Sequence, residues 1–191
     1  LGVGYRSEDV VDAGSGNDTV AVQFEGSTIF GTNVPEISTV ALGAGNDVLR
    51  VDYSTPSSLS EVLGTDFSTA EDTVDIDYHI NQRLSGWDGA SNPFGAGFMR
   101  LVQDGGDTLL QADLNGGGDN YLGLIRFANT NVGDFSAANF DPPYPPDGSV
   151  PVGVLINGTT GNDSLDGTIG ADTINGSDGN DTIRGGAEAD E

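Results

Sequence analysis

The sequence predicts an all-β chain of two textures, and three observations carry that prediction. An aspartate returns every nine residues near the C-terminus, at Asp163, Asp172, Asp181 and Asp190, with Leu165, Ile174 and Ile183 each two places behind the first three. Eleven of the fourteen aromatic residues lie between Tyr53 and Tyr144, and residues 145–191 contain none. No window shows an amphipathic helical period, although 57–63, SSLSEVL, has room for a single helical turn. A repeat region of very short strands and an aromatic-cored antiparallel β domain follow from these observations.

Written in its nine-residue register, the C-terminal block reads GTTGNDSLD, GTIGADTIN and GSDGNDTIR, followed by an unfinished GGAEADE. Fixed periods of this kind mark stacked repeat architectures. Extending the frame backwards places Ile156 where Leu165 sits in the next copy, so the block begins near Val152. The N-terminus carries the signature more loosely, as GYRSEDVVD and AGSGNDTVA over residues 4–21, with Asp9 and Asp18 nine apart. A further copy, LGAGNDVLR over 42–50, offers Asp47. Each repeat divides into a six-residue turn ending in Asp and a three-residue strand with an apolar middle member. Glycine at the first and fourth places allows positive φ, which turns the backbone sharply and aims its carbonyl oxygens inward. The Asp at the sixth place adds a carboxylate beside them.

Thirty acids face six bases, for a formal charge of -24; 23 of the acids are Asp, and every base is Arg. This balance repels nucleic acid and anionic membrane surfaces, so neither nucleic-acid binding nor membrane insertion is expected. Two readings of the acidity stand: a solvated face suited to salty water, or oxygen ligands for hard cations. The second accounts for the preference for Asp and for its fixed intervals. A pocket lined only by oxygens suits Ca²⁺, and several ions are expected, with Asp9, Asp18, Asp47, Asp163, Asp172, Asp181 and Asp190 as carboxylate ligands. One buried Ile or Leu per repeat contributes roughly 1.5–3 kcal/mol, whereas fixing nine backbones costs about 1–2 kcal/mol each. Metal binding and folding of the repeats are therefore expected to be one event. The absence of Cys excludes disulfides, thiolate metal sites and cysteine nucleophiles.

These nonapeptides resemble the GGxGxDxUx frame, with U apolar, of the repeats-in-toxin (RTX) family. The resemblance implies a parallel β-roll in which turns eighteen residues apart stack with Ca²⁺ between them. Asp163 would then pair with Asp181 and Asp172 with Asp190, joined by turn carbonyls of Gly158, Gly161, Gly167, Gly170, Gly176 and Gly179. The sequence departs from the frame in places. The double glycine survives only at Gly185 and Gly186, Ala13 and Leu42 replace the first glycine, and twenty residues separate the repeats at 13–21 and 42–50. Family members leave the cell unfolded through a type I channel. The resemblance thus implies a secreted, extracellular or cell-surface location, folding on Ca²⁺ outside the cell, and a larger parent protein. The opening LGVGYRSEDV and the unfinished last repeat read as the ends of an excised piece.

The expected organisation is 1–52, degenerate repeats; 53–141, a non-repetitive β domain; 142–151, a connector with five prolines; and 152–191, the roll. Residues 100–140 are similar to β segments found beside RTX blocks in type I-secreted proteins. Within them DLNGGGDN sets Asp113, Asn115 and Asp119 around a glycine turn, either a further Ca²⁺ site or a plain hairpin turn. Trp87, Tyr121 and Tyr144 read either as an aromatic face for a surface polysaccharide or as core. With no HExxH, GxSxG or Cys, and with its one histidine, His79, in an alternating stretch read as a strand, the chain is not expected to be an enzyme. The functional expectation is a Ca²⁺-binding structural or adhesive module of a secreted or cell-surface protein, with surface polysaccharide or other copies of the parent as further partners. The alternative is an accessory module of a secreted polysaccharide-modifying enzyme, protease or lipase.

Overall fold

The computed structural model describes residues 10–24, 28–29, 32–33, 37–53 and 61–191. Asp9 lies outside the described residues. The chain advances by coils, each laying one strand into each of two sheets. The first coil is β1 (Val10–Asp12), a six-residue turn and β2 (Thr19–Phe24). A two-strand excursion follows, β3 (Thr28–Ile29) against β4 (Thr32–Asn33). The second coil is β5 (Ile37–Ala41) and β6 (Val48–Tyr53), and the third is β7 (Glu61–Gly64) and β8 (Thr73–Asp75). Helix α1 (Asp77–Gln82) and strands β9 (Met99–Asp104) and β10 (Asp107–Ala112) come next. A fourth coil then passes from β11 (Leu122–Phe127) through two short 3-10 turns to β12 (Phe140–Asp141).

One sheet has the order β1-β5-β7-β11-β10-β9 and the other β12-β8-β6-β2. All pairings in the second sheet are parallel, as are β1–β5, β5–β7 and β7–β11 in the first. Among the described residues, antiparallel pairing in these two sheets is confined to β9–β10 and β10–β11, so the middle segment is mixed where the sequence predicts a wholly antiparallel domain. The physical reason lies in the inward positions. Val40, Leu42, Leu49, Val51, Val62 and Val74 are at most 1% exposed; each strand buries one face against the opposite sheet, and because the chain crosses to that sheet and back in every coil, successive strands of one sheet run parallel. The twenty residues between the first repeats hold the β3–β4 excursion and β5, so the spacing lengthens the coil without breaking the stack. Both sheets combine strands from before and after residue 53.

The aromatic core forms as composition predicts, shared between the sheets. Phe67 packs on Phe127 at 4.6 Å between ring centroids, Phe127 on Phe135 at 5.0 Å, and Phe94 on Phe140 at 5.0 Å. The proline-rich segment is held along this core. Asn92 Nδ2 donates to Pro145 O at 2.8 Å and Ser149 O at 2.7 Å, and Tyr144 is buried. The stretch read as an alternating strand divides instead. Residues 73–75 are strand, and from 77 the chain turns helical because Ile76, His79 and Ile80 bury one helical side, at spacings of three and four. In SSLSEVL, residues 61–63 belong to β7 rather than a helical turn, and the others lie outside the described residues.

The C-terminal block forms two small parallel sheets. β13 (Leu155–Asn157) pairs with β15 (Thr173–Asn175), and β14 (Ser164–Asp166) with β16 (Thr182–Arg184). Ile156 stands opposite Ile174 and Leu165 opposite Ile183, the eighteen-residue offset that the nonapeptide register sets. Burial here is shallow: Leu155 is 66% and Ile183 49% exposed, while Ile169 packs against the main core.

Candidate metal centre

One hydrogen-bond pattern recurs wherever coils stack. The N–H of the residue closing a turn donates to Oδ1 of the aspartate closing the next turn: Asp163 to Asp181 at 3.0 Å, Asp172 to Asp190 at 2.9 Å, Val154 to Asp172 at 2.7 Å, Asp18 to Asp47 at 2.8 Å and Asp47 to Asp72 at 3.1 Å. Oδ2 often closes its own turn, accepting from the Thr159 N–H in Asp163, the Thr168 N–H in Asp172 and the Ser68 N–H in Asp72. Asp172 and Asp72 do both, so each fixes its own turn and clips it to a neighbour. The fifth place adds an amide rung that the sequence reading passes over: Asn46 N–H donates to Asn17 Oδ1 at 3.1 Å and Asn180 N–H to Asn162 Oδ1 at 2.8 Å. Its signal is the recurring GND at 16–18, 45–47, 161–163 and 179–181. Gly179 shows why side chains are excluded: its φ is +129°, and a Cβ there would overlap Gly161 O of the coil beneath.

The structure thus brings Asp163 to Asp181 and Asp172 to Asp190. Gly161 O packs against Gly179 and Gly176 O against Gly158, so turn carbonyls lie between coils as well. Gly158 O also accepts the Ser177 hydroxyl at 3.2 Å. The Gly167 N–H donates to Arg184 O at 2.7 Å, and the Gly170 N–H to Thr168 Oγ1 at 3.1 Å. Asp18 and Asp47 form a second stack at the other end of the chain. Oδ2 of each is buried and without a hydrogen-bond partner.

Asp72, which the sequence reading does not single out, continues that stack. Its signal is EDTVD, close to the NDTVA of 17–21, hidden because the turn before it lacks glycine. Asp66 caps the second turn, accepting the Leu42 N–H at 2.8 Å and the Gly43 N–H at 3.0 Å. Burial pushes the Asp72 carboxyl above the usual carboxylate range, and the Asp47 and Asp66 carboxylates add to that, against the N–H donors of Ser68 and Asp47. Asp172 is held below the usual range by the N–H groups of Thr168 and Val154.

The DLNGGGDN loop is organised differently. Asp113 is fully buried; Oδ1 accepts the Asn115 N–H at 3.3 Å, and Oδ2 accepts those of Asp119 and Asn120 at 3.1 and 3.3 Å. Burial opposes its charge, yet the backbone donors outweigh it and hold the carboxyl below the usual range. Asn115 and Asp119 themselves are exposed. The aromatic candidates do not form an open face: Tyr144 is 2% exposed, Trp87 packs against the core with Nε1 donating to Ser91 O, and Arg100 covers the Tyr121 ring at 3.8 Å.

Among the described residues no three carboxylate or imidazole side chains converge. Any cation here would therefore be held by carboxylates together with backbone carbonyls. Such an all-oxygen set fits Ca²⁺ and suits neither Zn²⁺ nor copper, which prefer nitrogen and sulfur. The buried, partnerless Oδ2 atoms of Asp18 and Asp47 are acceptors of the required kind. In residues 152–191 the only base is Arg184, an exposed partner of Asp166 at 3.1 Å, so no basic side chain of that block neutralises its aspartate stacks.

The family model for the RTX calcium-binding nonapeptide repeat matches residues 3–21 and 157–191, in 4 copies. The chain carries RTX-type calcium-binding repeats in these two segments. No curated protein and no solved structure matches the chain.

Proposed function

We propose that this chain is a Ca²⁺-dependent structural or adhesive module of a secreted or cell-surface protein, and that its C-terminal strands are rungs of a parallel β-roll that folds when Ca²⁺ enters between stacked turns. The observation that carries this reading is the pairing of Asp163 with Asp181 and of Asp172 with Asp190 in a block whose large apolar side chains are at best partly buried. Like charges stacked at strand spacing repel, and shallow burial does not offset that repulsion. A divalent cation reverses the sign of the interaction. The residues that would hold it are Asp163, Asp172, Asp181 and Asp190, with carbonyls of Gly158, Gly161, Gly167, Gly170, Gly176 and Gly179, and Asp18 with Asp47 in the N-terminal stack. Ca²⁺ supplies charge neutralisation and cross-linking between coils; the chain supplies preset turns. Low cytosolic Ca²⁺ would leave the block open for export, and higher Ca²⁺ outside would close it.

Limited proteolysis with Ca²⁺ and with EDTA tests this reading. Protection of residues 152–191 should appear with Ca²⁺ and vanish on chelation. Equal protection in both conditions overturns the proposal.

A further inference from the structure

The turn 65–72 contains no glycine, yet it repeats the hydrogen bonding of a nonapeptide turn. Asp72 Oδ1 accepts the Asp47 N–H at 3.1 Å, as Asp181 accepts from Asp163, and its Oδ2 accepts the Ser68 N–H at 2.8 Å, as Asp163 accepts from Thr159. The strands that follow stay in register, with Thr19 opposite Val48 and Val48 opposite Thr73. Asp18, Asp47 and Asp72 thus climb one column at the spacing of neighbouring strands, roughly 4.8 Å.

At Asp47 and Asp72 the column is buried, and all three carboxylates are short of positive partners. Asp47 is 1% and Asp72 2% exposed, and Asp47 Oδ2 has no hydrogen-bond partner. None of the ion pairs among the described residues includes Asp18, Asp47 or Asp72. A buried charge in this position calls for a counter-charge. Each Asp72 oxygen takes one N–H and keeps lone-pair capacity for a further contact. Above it the column ends on an amide: Asn139 Nδ2 donates to the carbonyls of Thr69 and Asp72, both at 3.0 Å.

We propose that the step between the turns 42–47 and 65–72 is a further Ca²⁺ site, in which the carboxylates of Asp47 and Asp72 bind a hard divalent cation completed by turn carbonyls and water. It lies at a turn outside the nonapeptide matches and joins the repeat coils to the aromatic-cored segment. Two carboxylates are its charged part, in keeping with the absence of any converging group of three. The inference rests on the reading that the repeats bind Ca²⁺, and the experiment separates the two.

The test is calorimetric titration of the full chain, freed of metal with EDTA, with CaCl₂. Asp72→Asn keeps an oxygen acceptor and the side-chain shape while removing the charge. It should bind one Ca²⁺ fewer per chain than the parent, with the Ca²⁺-dependent protection of residues 152–191 unchanged. Asp181→Asn is the comparison. An unchanged Ca²⁺ count in Asp72→Asn alongside a reduced count in Asp181→Asn overturns this site and leaves the repeat reading standing; unchanged counts in both overturn both. If Asp72→Asn loses the parent's far-UV dichroism, crystals of the parent chain soaked in TbCl₃ decide. Anomalous density between Asp47 and Asp72 supports the site, and its absence there, with density beside Asp163 and Asp181, overturns it.

Discussion

At the scale of single residues, burial and backbone hydrogen bonds govern the titrating groups. His79 is 3% exposed, and burial lowers its pKa from 6.5 to about 4, against the opposing pull of the Val51 backbone and the Asp52 carboxylate, with Arg83 adding to the depression. The folded state holds the ring neutral, whereas the unfolded chain protonates near 6.5. Stability is therefore whole above pH 6.5 and falls as the pH drops towards 4, by up to about 3 kcal/mol from this group alone. Thermal melts between pH 7.5 and 4.5 should show that slope, and His79→Gln should flatten it; an equally steep slope in the variant would assign the loss to other groups. Asp113 makes a second residue-level case. It holds three backbone N–H groups of its loop, so Asp113→Ala should cost on the order of 2 kcal/mol of stability. The Ca²⁺ dependence of melting should stay as in the parent if the carboxylate is a loop anchor. A reduced Ca²⁺ response in that variant would restore the loop as a metal site.

At the scale of elements, the short repeats were the most legible part of the chain. The nine-residue register gives the strands at 164–166, 173–175 and 182–184 and their offset, because each strand is one Thr or Ser, one apolar residue and one polar residue after a fixed turn. The third rung was not legible. Thr65–Asp72 reaches the same hydrogen bonds through Ser68 and Phe67 in place of glycines, and only the tertiary stack on Asp47 shows it. Helix α1 was missed for a different reason: Val74, Ile76, Tyr78 and Ile80 satisfy a strand's alternation, and the buried His79 that settles the helix is polar. The role of the turns leads to a prediction about one coil. Asp181 accepts the Asp163 N–H and belongs to the turn above it, so Asp181→Ala removes a clip and a cation ligand together. Protection of residues 152–191 should then require several-fold more Ca²⁺ than in the parent. A proteolysis titration that superimposes on the parent's would mean that these aspartates are solvated decoration.

At the scale of the whole molecule, the two ends of the chain use the same turn on different foundations. The N-terminal coils share their sheets with the aromatic-cored segment, and their inward residues belong to one core with Phe67, Phe127 and Phe140. That burial is expected to hold these parallel strands together without a metal. Among the described residues, the strands of the C-terminal coils pair only with one another, and Ile169 is their one apolar side chain packed against the same core. Chelation should therefore divide the molecule: in EDTA, hydrogen exchange of β5, β6 and β11 should remain slow while that of β13–β16 approaches the unfolded rate. Adding CaCl₂ should restore protection of β13–β16 and slow the step at Asp47 and Asp72 more modestly, since packing already orders it. Charge does not confuse the measurement, because cancelling a formal -24 would take about twelve Ca²⁺, at two charges each, more than the recognised turns provide, and the loaded chain should still migrate as an anion. If β5 and β6 exchange as fast as β15 and β16 after chelation, the buried core does not support the N-terminal stack by itself, and cations hold both ends.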